Sequence, residues 1–161
     1  MIPWSSTARR PSSGTARLAV TGVSFPEAQA YATWTGGRLP TVAEWIWAAA
    51  WGSGHETAYP WGDEWESRRV TVGKGPQPVG TSDGDVTAHK PQGVQDLAGG
   101  VCEWASSVDP AAPAWSCGGC YASTEPRENC RANQPDPLET AIRSPYLGFR
   151  TVRSAQAEGP R

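Results

Sequence analysis

Four cysteines are the side chains of this sequence best placed to do chemistry. Cys117 and Cys120 make a C-x-x-C, and Cys130 follows ten residues after Cys120. A thiolate is a nucleophile and a soft metal ligand, so redox and metal chemistry are both open to this set. A redox pair at Cys117 and Cys120 is one reading. A zinc site that borrows His89 is another, although no second C-x-x-C completes it. The plain alternative is that the cysteines are small buried hydrophobes, the commonest role of a free Cys. Glu103 stands between Cys102 and Trp104, in a run of turns and apolar residues from Pro91 to Trp104. A carboxylate there must be paired, metal-bound or turned to solvent. His55 and His89 have no nucleophile pattern around them and read as solvated loop residues. Asp83 and Asp85 flank Gly84, which is turn chemistry rather than an acid/base pair.

The totals narrow the scaffold that could position these groups. A chain of 161 residues suits one domain with a real core. Nine Trp with 18 Gly and 15 Pro favour short elements joined by many turns over a helix bundle. Fourteen basic against 16 acidic residues give no nucleic-acid footprint. No apolar run approaches a membrane span, and the first residues lack the apolar stretch of a secretory signal. Reduced thiols in a cytoplasm are therefore the expectation.

Residues 1–19 are rich in Ser, Arg, Thr and Pro and are expected to form a disordered tail. Val20 to Val23 reads as a short strand. Ser24 with Glu27, and Thr41 with Glu44, are two capping boxes. They predict one helix ending at Gly36 and Gly37, with Ala28, Tyr31 and Ala32 on its inner face. They predict a second over Val42 to Trp51, with Trp45, Ala48 and Ala49 inside and Gly52 and Gly54 beyond it. Tyr59 to Asp63 is a turn built on aromatics. Val70 to Val72 and Pro78 to Gly80 read as edge strands, and residues 82–90 as a polar loop. Val101 to Ala105 is the best buried-strand candidate, followed by a surface excursion to Ala114. Residues 122–143 are polar and nearly aperiodic. Tyr146 to Val152 reads as the last strand, and residues 154–161 as a tail.

Four blocks, in order, resemble the formylglycine-generating enzyme family, also called the sulfatase-modifying factor domain. The first is Val20 to Phe25 with Ala28 to Trp34. The second is Arg38 to Thr41 with Ala43 to Trp45, and later Tyr59 to Asp63. The third is Gly93 to Trp104, similar to the family's G-L-Y-D-M-A-G-N-V-W-E-W. The fourth is Gly118-Gly119 with Arg131 and Gly148-Phe149-Arg150. Together they span residues 20–153. The resemblance implies an α+β, C-type-lectin-like domain that is loop-rich, with two short helices and small antiparallel sheets. The family's usual strand block before the first helix is missing here, or the tail replaces it.

Catalytic members of that family hold copper with two thiolates, a few residues after an R-G-G-S block, and oxidise a substrate cysteine. Aligning that block on Cys117 to Tyr121 puts the two positions on Ser123 and Glu128, a poor set for Cu(I). The resemblance therefore implies a non-catalytic domain that binds a protein or small-molecule ligand without a required cofactor. The same fold serves as the variable protein of diversity-generating retroelements, with the diversified window at 121–145 here. Its candidate ligand residues are Tyr121, Ser123, Thr124, Glu125, Arg127, Glu128, Asn129 and Asn133. The alternative is the copper oxidase, with a shifted site at Cys117 and Cys120 or at Cys120 and Cys130. Calcium is the family's structural ion; Glu103 is kept at its site, but Gly100 replaces the liganding Asn. The competing role for Glu103 is an ion pair with Arg131 or Arg150.

Overall fold

The two capping boxes form as their spacing predicts. In α1 (Phe25–Trp34) the Glu27 carboxylate accepts the Ser24 amide and hydroxyl, each at 2.9 Å. In α2 (Val42–Ala50) Glu44 accepts the Thr41 amide at 2.9 Å, and Arg38 grips the same carboxylate at 2.6 and 2.5 Å. Glycine closes α1: Gly36 takes φ +77°, and the Gly37 amide returns to the Ala32 carbonyl at 2.9 Å. Ala28 and Ala32 are fully buried, and their small side chains let α1 lie close to the sheet. Tyr31 is not on that inner face. It sits at the rim, edge-on to Phe149 at 5.5 Å. In α2, Trp45, Ala49 and Ala50 are buried, while Ala48 is half-buried.

These elements belong to a computed structural model that describes residues 17–51, 55–81, 93–109 and 111–154. Most of the expected N-terminal tail, the C-terminal tail after residue 154, Gly52, Gly54, and the 82–90 loop with Asp83, Asp85 and His89 lie outside the described residues.

Four short strands make one sheet in the order β3-β2-β1-β4. Strand β1 is Cys102–Ala105, β2 is Ala114–Cys117, β3 is Asp136–Leu138 and β4 is Leu147–Gly148. Strands β1 and β2 run antiparallel, with Glu103 opposite Cys117 and Trp104 opposite Ser116; β3 is antiparallel to β2. Strand β4 runs parallel to β1, so the sheet is mixed rather than purely antiparallel. The period-two alternation of β1 sorts its side chains into two cores. Trp104 joins Ala28, Ala32, Leu39 and Leu147 on one face, with Cys102 packed beside them. Ala105 joins Trp45, Leu97 and Cys117 on the other.

Several expected strands shrink. Val20 to Val23 forms no ladder; it runs beside β4, with the Gly22 amide on the Ser144 carbonyl at 2.9 Å. Val70 to Val72 and Pro78 to Gly80 each reduce to a single bridge, Thr71 to Gly99 and Pro78 to Leu18. Proline at 76 and 78 removes the amides a ladder needs. The last strand contracts to β4 plus a bridge from Val152 to Arg38. Conversely, the aperiodic stretch holds a helical turn, α3 (Pro126–Asn129), and β3. Tyr59 to Asp63 is the expected turn, with Tyr59 and Gly62 exchanging backbone bonds at 2.9 and 3.1 Å and Tyr59 stacked on Trp61. No helix among the described residues is long and apolar enough to cross a membrane.

Candidate functional site

The C-G-G-C turn decides which sulfurs can meet. Gly118 and Gly119 take φ +89° and +65°, two successive left-handed residues that only glycine adopts cheaply. A Cβ on Gly118 would lie 2.8 Å from the Leu97 carbonyl; one on Gly119 would lie 2.8 Å from the Cys130 sulfur. This double reversal sends the two cysteines to opposite sides of the sheet. Cys117 enters the α2 core beside Trp45 and Leu97, 2% exposed. Cys120 faces a different cavity. The expected Cys117/Cys120 pair is therefore not brought together.

That cavity has a volume of about 350 Å³. Its lining includes Cys102, Ser116, Cys120, Ser123, Asn129 and Tyr146. Cys102 meets Cys120 there. All four cysteines are thiols. The Cys102 thiol donates a hydrogen bond to the Cys120 sulfur. That bond holds the Cys120 thiol below its usual range, at about 6, against the opposing effect of burial; the amides of Ala122 and Ser123 and the Ser123 hydroxyl assist. The hydroxyl lies 3.7 Å from the sulfur and also accepts the Cys120 amide at 3.0 Å. Cys102 moves the other way, pushed up by the neighbouring Cys120 sulfur and then by burial. Burial, then Glu103 and Asp136, push Cys117 up as well. Cys130 is fully buried behind Gly119 and does not line the cavity. Cys102 packs against the Trp104 core, as a small buried hydrophobe would, and also lines the cavity, a second role its spacing does not announce. The missed signal is register: Cys102 is two residues from Trp104, hence on the same face of β1, at the strand end beside the glycine turn.

The candidate ligand residues spread along the excursion between β2 and β4. Thr124, Glu125, Arg127, Glu128, Asn129 and Asn133 are exposed, and Tyr121 and Ser123 are half-buried. Of these, Ser123 and Asn129 line the cavity. Tyr121 packs edge-on to Tyr146 at 5.9 Å and bonds the Pro145 carbonyl at 3.3 Å. The buried residues Cys130 and Ala132 pin the excursion, the Ala132 amide bonding the Ala58 carbonyl at 2.8 Å.

Glu103 has different company. It is 6% exposed and accepts Trp45 Nε1 at 2.8 Å, Arg150 Nε at 2.5 Å and Arg150 Nη2 at 2.7 Å. Arg150, rather than Arg131, is the partner. The Gly100 amide bonds Thr71 and its carbonyl accepts Tyr121. A guanidinium on the carboxylate and a fully used backbone do not fit calcium at Glu103 and Gly100. Copper fits no better at the aligned positions, where Ser123 bonds Cys120 and Glu128 points to solvent. Among the described residues no three His, Cys, Asp or Glu side chains are placed to share a metal. A wider apolar groove of about 1310 Å³ lies along α1, reaching the Glu103–Arg150 pair. It borders segments that lead into residues outside the described set and holds no sulfur chemistry, so the smaller cavity is the candidate site.

Two short helices, one small mixed sheet and a long polar excursion over a cavity define a C-type-lectin-like α+β domain. The family model for the sulfatase-modifying factor enzyme 1-like domain matches residues 3–155, and the chain belongs to that family. The chain is 39% identical over 103 residues to the inactive Cα-formylglycine-generating enzyme 2 of Bos taurus, covering 58% of this chain and 34% of the relative. It is 40% identical over 97 residues to the formylglycine-generating enzyme of Thermomonospora curvata, covering 53% and 32%. The chain thus spans about a third of the length of these curated relatives. Its fold is similar to that of Treponema denticola variable protein 1, with a TM-score of 0.61 at 17% identity over 90% of this chain and 75% of that one.

Proposed function

We propose that this domain is a non-catalytic binding module whose ligand face is the 121–145 excursion and the cavity beneath it. The observation that carries this is the contrast within one segment. Thr124, Glu125, Arg127, Glu128, Asn129, Asn133 and Gln134 face solvent, while Cys130 and Ala132 fix the backbone from below. Such a face can change its side chains without disturbing the core, which suits ligand display on loops. A relative named as inactive and a structural neighbour named as a variable protein support the same reading. The oxygen side chains at Ser123 and Glu128 weigh against copper oxidase chemistry at those positions.

A random peptide display library, selected on the purified chain, tests the proposal. Enriched peptides should lose at least tenfold in affinity for an Arg127→Ala/Asn133→Ala/Gln134→Ala variant, with Tm unchanged. Peptides that bind wild type and variant equally would place the ligand face elsewhere.

A further inference from the structure

We propose that Cys120 and Cys102 form a thiol–disulfide exchange site in the lining of this cavity, Cys120 attacking a small disulfide and Cys102 resolving it. The site shares the cavity beneath the 121–145 face, but its test reads sulfur chemistry and not ligand binding, so either proposal can fail alone.

Three observations converge. The two sulfurs are neighbours across the turn after β2, and the Ser123 hydroxyl lies 3.7 Å from Cys120 Sγ. Both line a cavity of about 350 Å³, within the size range of small-molecule sites and roomy enough for one arm of a small disulfide. Their surroundings divide the labour. Cys120 collects donors from Cys102, Ser123 and two amides, which favour the thiolate that attacks. Cys102 stays a thiol while that thiolate is beside it. The other two sulfurs lack these conditions: Cys117 is sealed in the opposite core, and Cys130 lies fully buried outside the cavity.

The chemistry balances without a further reactant. The Cys120 thiolate attacks one sulfur of R–S–S–R, and that S–S bond breaks. One RS⁻ leaves and takes a proton from water, while Cys120 carries the other half as a mixed disulfide. The negative charge that held Cys102 protonated is now gone, so Cys102 releases its proton to water more readily. Its sulfur attacks Cys120 Sγ, expels the second RS⁻, and closes a Cys102–Cys120 disulfide. Two protein thiols are oxidised and one disulfide is reduced to two thiols.

Oxidised glutathione, added to the fully reduced chain, is the probe. Peptide mass mapping of the wild type should show a Cys102–Cys120 disulfide and less than a tenth of the chain retaining glutathione. Cys102→Ser should instead accumulate one glutathione per chain on Cys120, and Cys120→Ser should show neither product. Glutathione on Cys117 or Cys130 at rates equal to Cys120 would overturn the proposal. So would wild-type protein that keeps Cys102 and Cys120 reduced, or a stable adduct on wild-type Cys120. If Cys102→Ser fails to fold, the wild-type map alone decides, because only the proposed pair yields that linked peptide.

Discussion

Arg150 pairs with a buried carboxylate, so its loss reaches the interior of this domain. Its guanidinium makes both charge-assisted bonds to Glu103, at 2.5 and 2.7 Å, and also donates to the carbonyls of Gln95 and Asp96 at 3.2 and 3.0 Å. Arg150→Ala would leave Glu103 at 6% exposure with Trp45 as its one remaining donor among these. Removing one partner of a buried pair costs roughly 3–5 kcal/mol, because the other charge stays buried. Against a total stability of about 5–15 kcal/mol, that is a large share. For a chain of this size it corresponds to a Tm drop of roughly 6–20 °C. Glu103→Gln keeps an acceptor for Trp45 and removes the charge, so the Arg150→Ala/Glu103→Gln double variant should be more stable than the sum of the single losses. Urea unfolding of the four proteins measures this coupling, expected at about 1–3 kcal/mol. A loss for Arg150→Ala below about 1 kcal/mol, the scale of an exposed pair, would refute the reasoning. So would strict additivity in the double variant.

Gly119→Ala forces a side chain into φ +65° and against Asn129 and Cys130. It should cost roughly 1–3 kcal/mol or more in denaturant unfolding, and a near-neutral result would show that the turn can relax. The Arg38–Glu44 pair predicts a pH dependence. The guanidinium first, then the Thr41 amide, hold the Glu44 carboxyl at about 2, below its ordinary value of about 4.3. A lowered pKa stabilises above the unfolded value and loses that contribution as pH falls toward about 2. Because the pair is about half exposed, Glu44→Gln should fall short of wild type by under about 1 kcal/mol at neutral pH. Thermal melts of the two should converge near pH 2; a gap constant with pH would assign the effect to packing.

The parts of the fold readable in the sequence are those made by neighbours in the chain. Ser24 with Glu27 and Thr41 with Glu44 close their bonds over three residues, so spacing alone reveals them. The sheet hides because its strands are two to four residues long and are defined by partners far away. No local pattern says that Asp136–Leu138, with a proline at its centre, pairs with β2. The site was half hidden for the same reason. The C-x-x-C spacing drew attention to Cys117 and Cys120, but two left-handed glycines separate them. The approach of Cys102 to Cys120 depends on where β1 begins against the turn, which is a tertiary fact.

The bridge from Arg38 to Val152 and the Gly22 amide on the Ser144 carbonyl join residues flanking α1 to residues flanking β4. Most of the ordering entropy must therefore be lost before these contacts can repay it. That is a high contact order, which places folding toward the slow, millisecond-to-second end for a small domain. During synthesis the two helices emerge well before β4, the strand that completes the wall behind Trp104 and Ala28. Until Leu147 is made, α1 has no finished surface to bury its alanines against, and the nascent chain carries that apolar face in the open.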